Sequence, residues 1–369
     1  MFMEDCAQNY VSVVIPTFNG FQKLALLLRS LEKQTVQRFE VIVVDDGSDD
    51  ETQQNVSCLQ DHYPVPLRYF YLDNTSIFGA AIARNFGAKQ AKGSILLFID
   101  QDFVAANDLV EKHSFYHRHN DIILGYCAGY GEGSQSYRWE DLDRFIRTGR
   151  HLPIIKEFRH SLFYQLHDKH DLWRCFVSAH FSIKKILFMH YKFDETFIQW
   201  GGQDVDLGYR LFKQGYRAQF MRDCIVYNSC STPQHTKKKV RELITSLLYT
   251  YKKHCAQEII DYGLDRFYHV PFKYRANWQL CWRLGQLEAV QRDIYILFTK
   301  QNYLYIFIIG KDFQEMKMTL LQLIQLSEGV ILDYRRAPRD LREHIKFKKF
   351  CRQIHLFCQK LNKFFLERH

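Results

Sequence analysis

Ser94-Ile95-Leu96-Leu97-Phe98-Ile99-Asp100-Gln101-Asp102 decides how this chain is read. An unbroken apolar run of this length, too short for a helix, predicts a strand buried on both faces. Two acids one residue apart stand at its exit. A carboxylate at the tip of a buried strand must be solvated, paired or bound to a cation. In open α/β sheets the carboxyl ends of the strands are where ligands bind. An Asp-x-Asp spacing sets hard oxygen ligands where Mg²⁺ or Mn²⁺ can bridge protein and a diphosphate. The stretch therefore predicts a sheet whose carboxyl edge receives a nucleotide diphosphate.

Working outward, apolar strands alternate with helical patterns on both sides of this run. Strands are expected over Val11 to Ile15, Glu40 to Val44, Leu67 to Leu72 and near Ile225 to Asn228, with helices over Gln22 to Lys33, from Asp49, and over Ala80 to Lys92. That order means βαβ units and a parallel sheet. From Lys237 onward strand signals fall away, and Val240 to Lys253 and Met316 to Leu326 carry apolar residues at helical spacing. The expectation is an α/β catalytic domain over 1–236, with a nucleotide half over about 1–105 and an acceptor half over about 106–236. A helical, basic region over 237–369 follows. Residues 126 to 175, rich in Tyr, Trp, Arg and His, are expected to form much of the acceptor wall.

At 369 residues and 47% hydrophobic content the chain can build a sizeable core. Its ten cysteines fall singly, with no Cys-x-x-Cys and no zinc spacing, so reduced thiols of a cytoplasmic protein are expected. The first strand begins too early for a signal peptide before it. The apolar stretch Ile294 to Ile309 is interrupted by Lys300-Gln301-Asn302 and is not expected to span a bilayer. From Arg335 to the end, eleven Lys and Arg face three acids, a surplus of eight in a chain of net charge +9. Phe347, Phe350, Ile354, Phe357 and Leu361 lie among them. That pattern suits an amphipathic helix packed on protein, with peripheral contact to an anionic membrane at its inner face as the second reading.

Four further motifs carry chemistry. Pro16-Thr17-Phe18-Asn19 ends the first strand, where Pro16 is expected to stop the ladder and leave Thr17 and Asn19 facing a ligand. Asp45-Asp46-Gly47-Ser48 ends the second; one of its aspartates can cap the next helix or accept the N–H of a pyrimidine. Arg84 and Asn85 lie in a helix of small residues just before the Asp-x-Asp strand, which brings a cation to the phosphates. Trp200-Gly201-Gly202-Gln203-Asp204-Val205-Asp206 opens a helix with acids, as the macrodipole favours, and offers a general base beside a glycine pair.

Taken in order, these five motifs resemble the family 2 inverting glycosyltransferases of GT-A fold, over roughly residues 11 to 235. The resemblance implies a Rossmann-like, mostly parallel sheet flanked by helices, and a metal-dependent transfer of sugar from a UDP-sugar donor. The acceptor, a glycan, a lipid-linked sugar or a peptide, is not specified. It implies Pro16, Thr17, Asn19, Asp45, Asp46, Arg84, Asn85, Asp100 and Gln101 around the nucleotide-sugar. Asp102, with His235, would hold Mn²⁺ or Mg²⁺. Asp204 would be the base, with Asp206 as a less favoured deputy, and Trp200, Gly202, Gln203 and Asp206 would meet the acceptor. The chain departs from the family at Gln203, where glutamate is usual; an amide hydrogen-bonds but takes no proton. A non-catalytic protein that kept the fold is the alternative. A dinucleotide-binding oxidoreductase is disfavoured, since no Gly-x-Gly-x-x-Gly follows the first strand, and nucleic acid is an unfavoured partner.

Overall fold

The computed structural model describes residues 10–73, 79–131, 135–160, 169–197 and 201–229, scattered residues between 246 and 259, and the segments 294–298 and 304–308. Two compact units divide the chain, Met1–Ser246 and Leu247–His369.

In the first unit the strands are β1 (Val11–Thr17), β2 (Phe39–Asp45), β3 (Leu67–Tyr71), β4 (Ile95–Ile99), β5 (Phe103–Ala105), β6 (Ile122–Ala128), β7 (His180–Lys184) and β8 (Ala218–Asn228). The helices are α1 (Phe21–Leu31), α2 (Thr52–Gln60), α3 (Ala80–Gln90), α4 (Leu109–Tyr116), α5 (Trp139–Thr148), α6 (Lys185–Tyr191) and α7 (Gln203–Lys213). One eight-stranded sheet runs in the order β3-β2-β1-β4-β7-β6-β8-β5. The first four strands are parallel, β7 joins β4 antiparallel, and β6 and β8 are parallel to each other. This is the curled α/β sheet with flanking helices that the sequence predicts.

Both faces of the parallel half are covered, which is why its strands read as continuous apolar runs. Val11, Val13, Ile15, Val41, Val43, Leu97 and Ile99 pack against Leu24, Leu27 and Leu31 of α1. On the opposite face Val14, Ile42, Val44, Leu96 and Phe98 meet the alanines of α3 and the apolar side of α7. Helix α3 lies so close that a Cβ on Gly87 would come 2.5 Å from Val14 Cγ1. The small residues of α3 are therefore a packing requirement.

Two expectations are corrected. Strand β1 continues through Pro16 to Thr17, paired with Val44 and Asp45 of β2. Its odd residues bond toward β2, as the Asp46 N–H to Thr17 O bond shows, so the N–H that proline lacks faces β4. There the ladder has already ended at Val14 and Phe98, and nothing is lost. In the second unit, Ile294–Phe298 (β9) and Leu304–Ile308 (β10) form an antiparallel hairpin where helix was expected. Both runs are rich in aromatic and β-branched residues, which favour strand. Within residues 126 to 175, Tyr126, Tyr137, Arg159 and Trp173 are buried, while Trp139 is 38% exposed. No described helix is long and apolar enough to cross a membrane, and Cys58, Cys127, Cys175 and Cys224 are free thiols.

Candidate active site

The carboxyl ends of β1, β2 and β4 meet along one edge, and polar side chains tie their loops together. Gln101 sits in the turn between β4 and β5. Its carbonyl oxygen accepts from the Thr17 hydroxyl and, at 3.3 Å, from the Phe18 N–H, while its NH₂ donates to Phe18 O and Asn19 O, each at 3.2 Å. Its amide is thus spent on the loop after β1. That loop then grips the one after β2. The Asn19 N–H donates to Ser48 Oγ at 2.9 Å, and Asn19 Oδ1 accepts from the Asp49 N–H at 3.0 Å. Asn19 holds φ 41, a left-handed conformation that asparagine tolerates better than most residues.

Asp50 completes this bracing. Its Oδ2 accepts from the Gly20 N–H at 2.6 Å and the Phe21 N–H at 3.5 Å, and its Oδ1 from the Thr52 N–H at 3.0 Å. One carboxylate thereby serves the open amino ends of α1 and α2, neither of which has a side-chain cap of its own. Partial burial raises its pKa, but the hydrogen bonds from Thr52, Gly20 and Phe21 outweigh this and hold it below the usual carboxylate value.

The two aspartates after β2 have different surroundings. Asp45 is fully buried, accepting from the Ser48 N–H at 2.8 Å on one oxygen and the Tyr69 hydroxyl at 2.6 Å on the other. Burial and this bond to Asp45 push the Tyr69 phenol well above its ordinary value, so it remains a donor. Asp46 is half-buried at the edge and accepts from the Gly79 N–H, at the start of α3, at 2.8 Å. Phe18, beyond Thr17, is 55% exposed. An aromatic face there is the kind of surface on which a base can stack, and sequence reading passed over it as a loop residue.

Asp100 and Asp102 are half-exposed, and the backbone of their turn is pinned on both sides. The Asp100 N–H donates to Ala179 O at 3.0 Å, and Asp102 O accepts from the Ser229 N–H at 2.9 Å and hydroxyl at 2.7 Å. Arg84 rises from α3 to pair with Asp100. It is 3% exposed, its guanidinium lies 5.6 Å over the Phe193 ring, and its Nε finds no hydrogen-bond partner. A buried guanidinium with an unfilled donor is a strong anion-seeking group.

Asn85, the next residue, faces elsewhere. Its NH₂ donates to Phe193 O and Glu195 Oε1, each at 2.9 Å, and its Oδ1 accepts from the Phe193 N–H at 3.0 Å. It braces the segment leading toward α7. At the start of α7, Gly202 adopts φ 86, and Asp204 is half-exposed with Oδ1 on the Val205 N–H at 2.9 Å. Gln203 is buried and its Oε1 has no partner. Asp206 is fully buried and pairs with Arg210 at 2.8 Å. Direct hydrogen bonds thus join Thr17, Asn19, Asp45, Asp46, Arg84, Asp100 and Gln101 to the strand-end frame. Trp200 and His235 lie outside the described residues.

No group of three or more His, Cys, Asp or Glu suited to a metal occurs among the described residues. Asp100 and Asp102 still fit Mg²⁺ or Mn²⁺, which commonly bind through one or two carboxylates and complete their shell with substrate phosphates and water.

Comparison with known proteins agrees with this architecture. Residues 12–187 match the model of glycosyl transferase family 2. The validoxylamine A glucosyltransferase of Streptomyces hygroscopicus subsp. jinggangensis is 31% identical over 221 residues, 56% of this chain and 52% of that one. The uncharacterized glycosyltransferase YfnE of Bacillus subtilis is 28% identical over 252 residues, 58% of this chain and 63% of that one. The chain thus spans roughly half to two thirds of these relatives' length. Among solved structures, S. aureus TarS 1-349 in complex with UDP-GlcNAc superposes with a TM-score of 0.51 at 20% identity, covering 70% of this chain and 73% of that one, which speaks to the fold. Residues 12–187 thus match glycosyl transferase family 2 and are set on a GT-A type sheet.

Proposed function

We propose that this protein transfers a sugar from a UDP-sugar to an acceptor hydroxyl in a single inverting displacement. The observation that carries the reading is the Arg84–Asp100 pair, buried cation against carboxylate, two residues from Asp102 at the end of β4. Asp46 supplies an acceptor for a pyrimidine N–H and Phe18 a stacking face. Asp102 and Asp100 would hold Mn²⁺ or Mg²⁺, which when bound supplies Lewis-acid stabilisation of the diphosphate. Arg84 adds a fixed positive charge for the departing diphosphate. The acceptor oxygen forms its bond to the anomeric carbon as the bond from that carbon to the diphosphate oxygen breaks, and Asp204 takes the acceptor's proton. UDP leaves with the bonding electrons. The pyrimidine donor is further supported by the UDP-GlcNAc complex of TarS, whose fold this chain shares. Gln203 favours a second reading, a binding protein without turnover, because the carboxylate usual there is missing.

A panel of UDP-sugars with Mn²⁺, read by UDP release and by product configuration, separates the two. Calorimetry should show UDP affinity falling at least tenfold with a chelator or in Asp102→Ala. Undiminished binding without metal would overturn the ion assignment. Asp204→Asn should hold UDP affinity within about twofold while turnover falls by roughly a hundredfold. Full turnover in that variant would remove Asp204 from the reaction.

A further inference from the structure

We propose that the turn Tyr191-Lys192-Phe193 is a clip that sets Asp204 in register with Arg84, with Asn85 and Arg210 as its positioning residues; this rests on the catalytic reading above. Two helices hold three consecutive residues of this turn. From α7, Arg210 donates to Tyr191 O at 2.5 Å and to Lys192 O at 2.6 Å, its Nε fixed on the buried Asp206 at 2.8 Å. From α3, Asn85 closes both backbone groups of Phe193 and takes Glu195 as a further partner. These bonds fill the carbonyls that the end of α6 leaves without intrahelical donors.

The turn is costly to form unaided. Lys192 has φ 40, a left-handed conformation that non-glycine residues adopt only where surrounding contacts dictate it. Phe193 then anchors the clip beneath the donor side. Its ring meets Phe98, two residues before Asp100, at 6.0 Å, Phe181 at 6.1 Å and Phe188 at 5.6 Å, with the Arg84 guanidinium above it. Asp206 and Asp204 share the first turn of α7, so a shift in Arg210 moves Asp204 with it. Asp206 therefore acts by position, holding Arg210, and the Asn85 amide is taken up by Phe193 and Glu195. Glycosyl transfer demands that base, acceptor and diphosphate exit be aligned, and a displacement of about 1 Å can cost roughly a hundredfold in rate.

The test uses the full chain and two variants on separate helices, Asn85→Asp and Arg210→Lys. Asn85→Asp keeps the acceptor for the Phe193 N–H but loses the donor and sets a charge against Glu195. Arg210→Lys replaces a fork that holds three partners with a single ammonium. Each is expected to cut kcat for UDP release from UDP-GlcNAc with Mn²⁺ at least tenfold while donor KM and calorimetric UDP affinity stay within twofold. Adding Glu195→Gln to Asn85→Asp should recover at least fivefold of the lost rate, and the Asn85→Asp Arg210→Lys double variant should lose less than the product of the single losses. Hydrogen exchange of amides 203–206, which needs no substrate, should quicken at least tenfold in either variant. If the wild type neither binds UDP nor turns over UDP-GlcNAc, the donor reading fails and exchange alone decides the clip. Unchanged exchange at 203–206 would overturn the proposal, as would losses in kcat that multiply and resist Glu195→Gln.

Discussion

At the scale of single residues, the packing of α3 on the sheet gives a test in which two effects oppose each other. Gly87→Ala should gain up to about 1 kcal/mol from helix propensity. The added methyl, however, would meet Val14 Cγ1 at 2.5 Å and Val44 Cγ2 at 3.1 Å in a filled core. Overpacking of this kind costs about 1–3 kcal/mol. The clash wins because both contacts are β-branched side chains on central strands that cannot swing aside, so urea unfolding should show a net loss of about 1–2 kcal/mol. A more stable variant would mean that α3 can lift from the sheet. The small residues of α3 were legible as a tight face in the sequence. The role of Asn85 was not, because its partners lie 108 and 110 positions away and leave no local signature.

At the scale of elements, α4, β6 and β7 enclose a buried histidine chain that sequence reading did not foresee. Asn120 O, His117, Ser182, His113, His180 and Tyr126 O stand in line, linked at 2.9, 2.7, 2.7, 3.0 and 3.4 Å. Both ends are carbonyls, which only accept, so five links need five protons. Three neutral imidazoles and one hydroxyl supply four. The missing proton falls most simply on the longest link, between His180 and Tyr126 O. Filling it by protonation is opposed: burial, joined by Arg159 at His180 and by the neighbouring rings at His113, depresses all three pKa values, to about 4 for His117 and about 3 for His180. The unfolded chain therefore binds protons below about pH 6.5 that the fold refuses. Stability is complete above that pH and declines as pH falls toward the folded values, by on the order of 2 kcal/mol per histidine at pH 5. Urea midpoints measured from pH 7.5 to 5 should drop steeply, and His117→Gln should flatten the slope. A midpoint unchanged down to pH 5 would show the chain already protonated. Gly125 belongs to the same assembly, since a Cβ there would lie 2.0 Å from His180 Cε1.

At the scale of the whole molecule, charge is concentrated at one end. The surplus of eight basic residues from Arg335 onward lies outside the described residues, and the apolar positions Phe347, Phe350, Ile354, Phe357 and Leu361 follow helical spacing in the sequence. We expect that stripe to pack on protein, so deletion from Arg335 should expose it and produce aggregation, read by light scattering. A monodisperse truncation with unchanged melting, whose parent binds anionic vesicles in a salt-sensitive way, would assign the segment to lipid instead.

The sequence by itself determined the succession of strands and helices through β4, the acids at the strand exits and the resemblance to family 2, because apolar periodicity and strand-end chemistry are local properties of a chain. Only the tertiary structure decided how those groups are used. Asp45 and Asp206 look like site carboxylates in the sequence, yet both are buried and committed to Ser48 and Tyr69 or to Arg210. Gln101 looks like a spacer between two aspartates, yet it fastens the loop after β1. A hydrogen bond is settled by which backbone comes within about 3 Å, and that depends on how strands and helices distant in sequence are stacked.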